Sequence, residues 1–299
     1  MRRMGLMGMH RGLGRTMALL LLAGSSLHGG ALDSLRHAGP VGRGGGRSAW
    51  EVGLQLQNFK YVERGVMSEK GELIGPQGSW TLEEPAPWVW RMEGSFVYGE
   101  LQYDGAVVSL VTGEEVPARV DTPNSILNLR ALGGRLCRLA NRDVLPYAGI
   151  AYRLLVDDLP GDSGYRREQS YIYVPIGIEV TVVVIGPWTV GLQAEYDLFI
   201  RGENNSESDL GGIDANLEQD SGEGFRASLH FERSIKGRGT RPVGIVIEPF
   251  FEYWDVDESD PDTDLLTFVD GGESFSGEIT YFEPANNTKI YGLRAGFIF

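Results

Sequence analysis

Positions 291–299 constrain the fold of this chain more than any other stretch. The odd positions, Tyr291, Leu293, Ala295, Phe297 and Phe299, are all apolar. The even ones are Gly292, Arg294 and Gly296, with Ile298 the one apolar exception. A period of two gives an extended strand one greasy face and one small or charged face. The same pattern recurs upstream. Trp50, Val52, Leu54 and Leu56 alternate with Glu51, Gly53, Gln55 and Gln57. Trp88, Trp90, Met92, Phe96 and Tyr98 alternate with Arg91, Glu93 and Ser95. Further runs of this kind surround Leu129, Ile150, Ile176, Leu192, Phe225 and Ile247, and 72–82 reads as a weaker strand with Gly75 and Gly78, which makes about ten strands in all.

The connections alternate in length. Those near 83–87, 139–143, 183–187 and 234–241 are short, and those at 105–124, 202–224 and 255–286 are long. An even number of antiparallel strands, with short turns at one end and long loops at the other, predicts a closed transmembrane β-barrel. Closure leaves no free backbone edge for lipid to satisfy. The carboxyl-terminal pattern resembles the closing strand of bacterial outer-membrane barrels. That resemblance implies that Tyr291, Leu293, Phe297 and Phe299 form the assembly signal read by the barrel-assembly machinery. It also implies a monomer surrounded by outer-membrane lipid and lipopolysaccharide. The competing fold is a soluble β-sandwich, in which the greasy faces would meet in a shared core. Against it, Trp50, Trp88, Trp90, Trp188, Tyr196, Tyr253, Tyr291 and Phe299 cluster near strand ends, where membrane barrels carry aromatic girdles.

Residues 1–31 read as a secretory signal peptide, with Arg2, Arg3, Arg11 and Arg15, no acid, and a short apolar run at 17–23. Residues 32–47 read as a flexible lead-in and 48–299 as the barrel. The formal net charge of −14 disfavours a nucleic-acid partner. Cys137 is the only cysteine, so an internal disulfide and a cysteine-based metal cage are both excluded.

If the apolar faces meet lipid, the polar faces meet the lumen. A barrel of this strand number has a narrow interior. Confined charges should pair there, because a buried unpaired charge costs several kcal/mol. The expected lumen ion-pair network comprises Glu51, Arg91, Glu93, Arg130, Arg153, Glu195, Arg226, Glu248 and Arg294. Glu179, Asp197, His230, Glu232 and Glu252 lie on the same faces. Such a network either plugs the barrel and pins its register, or acts as a constriction for small solutes.

Candidate chemistry is sparse, and neither a metal nor a cofactor is expected. Strand number and length resemble the omptin proteases, which use an Asp–His pair and an Asp pair near the outer rim. Here the histidines are His10, His28, His37 and His230, and none falls in an outer loop. That active site therefore does not transfer. Ser228 and His230 have the two-residue spacing of outer-membrane phospholipases, yet both fall on the inward face, out of reach of a lipid carbonyl. Acidic clusters at 202–224 and 255–264 lack the EF-hand pattern and read as solvated loops.

Three stretches together resemble an uncharacterised family of proteobacterial outer-membrane proteins: positions 58–67 (NFKYVERGVM), 146–153 (PYAGIAYR) and 164–177, which opens GYRR and continues to YIYVPIG. The resemblance implies fold and location only, and it transfers no catalytic or binding residue. The chain is therefore expected to be no enzyme. The expected role is structural or surface interaction, with a narrow porin-like channel and a rim hydrolase as the alternatives.

Overall fold

The computed structural model describes residues 47–83, 87–108, 115–158, 165–208, 215–235, 243–270 and 273–299. The expected signal peptide, nearly all of the lead-in and the basic turn at 236–241 lie outside the described residues. The strands are β1 (Arg47–Glu63), β2 (Met67–Glu83), β3 (Trp88–Val108), β4 (Glu115–Arg135), β5 (Cys137–Leu139), β6 (Arg142–Asp158) and β7 (Tyr165–Ile185). They continue with β8 (Trp188–Ser208), β9 (Ala215–Gln219), β10 (Gly222–Ile235), β11 (Val243–Val256), β12 (Asp262–Asp270), β13 (Glu273–Tyr281) and β14 (Asn286–Ile298).

Neighbouring strands pair in the order β10, β11, β14, β1, β2, β3, β4, β6, β7, β8, and β8 pairs β10 to close the ring. Strand β5 prolongs β4 along β6, and β9 and β10 together lie along β8. The wall is thus a closed antiparallel barrel of ten staves. The first and last staves are zipped together by the reciprocal pair Trp50 N–Phe299 O and Phe299 N–Trp50 O, each 2.9 Å. One tight turn of the short-turn end carries positive φ at both central residues, Ala140 (47°) and Asn141 (62°). That is the geometry two-residue hairpins prefer.

The greasy faces point out. Phe297 is 55% exposed and Leu192 44%, while Glu195 is 2% exposed. A sandwich would reverse these values, so that alternative fails. From Trp50 to Asn58 on β1 and from Phe299 to Tyr291 on β14, the apolar band runs nine residues, the length a tilted strand needs to cross the hydrocarbon. By the rule of short periplasmic turns, the end carrying the 108–115, 158–165 and 208–215 connections faces outward.

The strands are longer than the alternation implied. The expected loop at 105–124 shrinks because β3 and β4 pair as far as Val108↔Glu115. The polar stretch 63–70, which the sequence reads as a turn, shrinks likewise, since β2 begins at Met67. The expected loop at 255–286 contains the two-stranded sheet β12–β13. The physical reason is common to all three. Above the membrane both faces of a strand can be polar, so pairing continues where the hydropathy pattern stops. Outward residues there are Lys60, Lys70, Gln102, Asp121, Glu168 and Lys289.

Candidate functional site

The inward faces build three layers. The periplasmic layer is a cavity of about 330 Å³ lined by Glu51, Gln77, Arg91, Asn128, Thr189 and His230, among others. Above it lies a belt of ion pairs. Arg226 on β10 stands directly opposite Glu195 on β8 and Glu252 on β11. It reaches the first at 3.6 Å and the second at 3.1 Å. Arg294 on β14 binds Glu248 at 2.7 Å, Glu252 at 3.4 Å and Gln55 at 2.9 Å. Arg130 on β4 pairs with Glu93 on neighbouring β3 at 2.6 Å.

Two pairs are chords across the lumen rather than contacts between adjacent staves. Arg130 pairs with Glu195 of β8, and Arg91 of β3 forks onto Glu179 of β7. Each chord skips the two staves in between, so it ties together parts of the wall that are not neighbours. Glu195 also accepts a hydrogen bond from the Tyr147 hydroxyl, 2.6 Å.

Two residues expected in this network make no ion pair among the described residues. Glu51 faces Ser79 and Ile298 in register and only accepts a hydrogen bond from Gln77, 3.1 Å. Arg153 is buried, but its register partners are Asn128 and Tyr171, and its guanidinium lies 5.8 Å from the Trp254 ring centroid. It therefore sits against an aromatic face rather than a carboxylate. Ser228 and His230 do not pair with each other. The Ser228 hydroxyl donates to Gln193 at 3.1 Å, and His230 contacts Glu248 at 3.3 Å.

The third layer went unrecognised in the sequence. Phe59, Leu73, Val97, Leu101, Ile126, Leu155, Phe250 and Ile290 form one buried apolar cluster inside the barrel. Tyr171, Tyr173, Phe199 and Trp254 form the core of a second. The ring of Tyr173 meets that of Trp254 edge-on at 4.8 Å. Gly224 on β10 makes room: a Cβ there would lie 2.9 Å from two carbons of the Trp254 ring. These side chains fill the lumen above the belt. Phe59 shares its face with Gln55 and Gln57, so phase alone could have revealed it.

At the outer mouth, Arg167 is surrounded by carboxylates, with Glu63 at 2.6 Å, Asp157 at 3.3 Å and Glu283 at 3.7 Å. Glu69 is 0% exposed, and among the described residues neither of its carboxyl oxygens has a hydrogen-bond partner. Glu283 comes from the segment joining β13 to β14. Its backbone and Ser259 hold each other: Ser259 N donates to the Glu283 carbonyl at 3.0 Å, and Glu283 N donates to the Ser259 hydroxyl at 2.9 Å. The foot of the β12–β13 hairpin is thereby fastened to the mouth.

Burial pushes the Glu283 carboxyl up from 4.5 to about 7; Arg167 opposes the shift and Glu63 adds to it. A raised carboxyl holds its proton more tightly when folded. Its contribution to stability is complete below pH 4.5 and is lost as pH rises through about 7. The urea midpoint of the refolded barrel is expected to fall between pH 5 and pH 8. Glu283→Gln should flatten that slope, and an unchanged slope would contradict the assignment.

No family model matches the chain, and no curated protein matches it either. Among solved structures, the outer membrane protease OmpT from Escherichia coli superposes with a TM-score of 0.57 at 10% identity, covering 88% of this chain and 99% of that one. The translocator domain of the autotransporter NalP from Neisseria meningitidis gives 0.39 at 11% identity, with 88% and 90% covered. The attachment invasion locus protein Ail of Yersinia pestis gives 0.28 at 11%, with 85% and 99% covered. The fold is that of a bacterial outer-membrane β-barrel, and the chain's place is the outer membrane.

Proposed function

We infer that the protein is a non-conducting barrel with a structural or surface-interaction role, a rigid wall that holds its outer strands and the β12–β13 hairpin above the membrane. The supporting observation is the filled cross-section: an ion-pair belt with two apolar clusters stacked on it. An aqueous path would have to part buried aromatic side chains and break buried ion pairs, and both are costly.

OmpT is a protease, and its likeness to this chain extends to the fold. Cleavage chemistry finds no support here, because no outer loop contains a histidine and His230 lines the periplasmic cavity beside Glu248. The cavity is the one feature that favours a narrow channel instead. Planar-bilayer recording separates the two readings. The refolded barrel is expected to give no steady current. A steady current that disappears in Arg91→Ala or Glu93→Ala would replace the sealed wall with a channel.

A further inference from the structure

The chain has four lysines: Lys60, Lys70, Lys236 and Lys289. Three of them stand side by side. Lys60 on β1 is the register partner of Lys70 on β2 and of Lys289 on β14. All three are exposed. They point outward because their neighbours Phe59, Tyr61, Glu69 and Ile290 point into the lumen. Cross-strand neighbours sit about 5 Å apart at Cβ, and like charges so placed repel. Folding alone gives no reason to gather them.

The row has no counter-charge of its own. Among the described residues, no carboxylate lies within ion-pair distance of any of the three. Three outward arginines above the apolar band differ: Arg166 pairs with Glu168, Arg201 with Glu203 and Glu218, and Arg64 with Asp255, while Arg119 donates to Gln102 at 2.7 Å. The Lys289 ammonium also lies 5.9 Å from the centroid of Tyr253, which holds it against the wall. Glu72 and Glu100 stand one step nearer the membrane on the β2–β3 side.

The height of the row identifies its partner. Lys289 is two residues above Tyr291, the top of the apolar band on β14. Two residues of a strand tilted by about 40° rise roughly 5 Å. The headgroup layer is about 5–7 Å thick on each side. The ammonium groups therefore sit among outer-leaflet headgroups, at the long-loop end of the barrel.

We propose that Lys60, Lys70 and Lys289 form a binding site for the phosphate groups of a phosphorylated glycolipid in the outer leaflet. The acyl chains of that lipid lie against Leu56, Ile74 and Leu293 below, all of them exposed. The proposal rests on the outer-membrane orientation and is independent of whether the lumen conducts.

The test uses the full chain refolded in zwitterionic detergent and titrated with bis-phosphorylated lipid A. Dephosphorylated lipid A and inorganic phosphate are run in parallel. Wild type should bind the phosphorylated lipid, with affinity falling as salt rises. Each Lys→Gln change should weaken binding about fivefold, and the triple change roughly a hundredfold. The triple Lys→Arg variant should retain it. Without lipid, Lys60→Gln should melt no lower than wild type, because a like-charge contact is removed. Equal binding by wild type and the Lys→Gln variants, equal binding of dephosphorylated lipid, or full competition by inorganic phosphate would each overturn the proposal. So would a lower lipid-free melting temperature for Lys60→Gln.

Discussion

Replacing Arg130 by alanine is expected to lower the unfolding free energy by about 3–5 kcal/mol, the usual consequence of stripping one partner from a buried ion pair. The Arg130 side chain is 3% exposed and that of Glu195 is 0%. Without Arg130, Glu195 keeps, among the described residues, the Tyr147 hydroxyl and the more distant Arg226. The chord between β4 and β8 is lost as well. Urea unfolding in detergent micelles, followed by tryptophan fluorescence, measures the difference. The double change Arg130→Met with Glu195→Gln should recover most of it, because a neutral packed pair avoids the stranded charge. Arg201→Ala is the control. Its pairs with Glu203 and Glu218 are exposed, so it should cost about 1 kcal/mol or less. Equal losses for Arg130→Ala and Arg201→Ala would mean that water reaches the belt freely.

Much of the wall is legible in the sequence. Period two assigns Leu54, Ile150, Leu192 and Phe297 to one face and Glu93, Arg130, Glu195 and Arg226 to the other, and burial follows that division. Closure followed from lipid's inability to satisfy a free edge. The partners across the lumen were not legible. Periodicity fixes which face a residue occupies, but not which opposite stave lies within reach. The Arg130–Glu195 and Arg91–Glu179 chords depend on diameter and shear. Arg153 shows the same gap from the other side: its charge was visible, yet the Trp254 ring beside it was not.

The outer staves were hidden for a different reason. Once a strand leaves the hydrocarbon, its outward residues turn polar and the alternation fades, although backbone pairing continues. Nothing in the sequence pattern groups Lys60, Lys70 and Lys289. Only the register Lys70↔Lys60↔Lys289 brings them together. The apolar lumen layer went unrecognised because, within the hydrocarbon, grease marks the lipid face. Above the membrane that relation inverts, and Phe59, Leu101 and Trp254 are buried because the interior is the only dry place left.

That inversion predicts a contrast between two tryptophans of the same barrel. Trp254 is 1% exposed and packs on Tyr171 and Tyr173. Trp90 is 51% exposed on the lipid face. Trp254→Ala should cost about 3–5 kcal/mol, the range for emptying a fully packed aromatic site. It also removes the face on which the Arg153 guanidinium rests. Trp90→Ala should cost much less in detergent, since micelle chains can close over the gap. Gly224→Ala is expected to act in the same direction as Trp254→Ala, because the added methyl would meet the Trp254 ring and the Asp197 Cβ at once. Urea midpoints of the three variants decide the matter. A Trp254→Ala barrel as stable as Trp90→Ala would show that the outer lumen is wet, and a wet outer lumen is what a conducting pore requires.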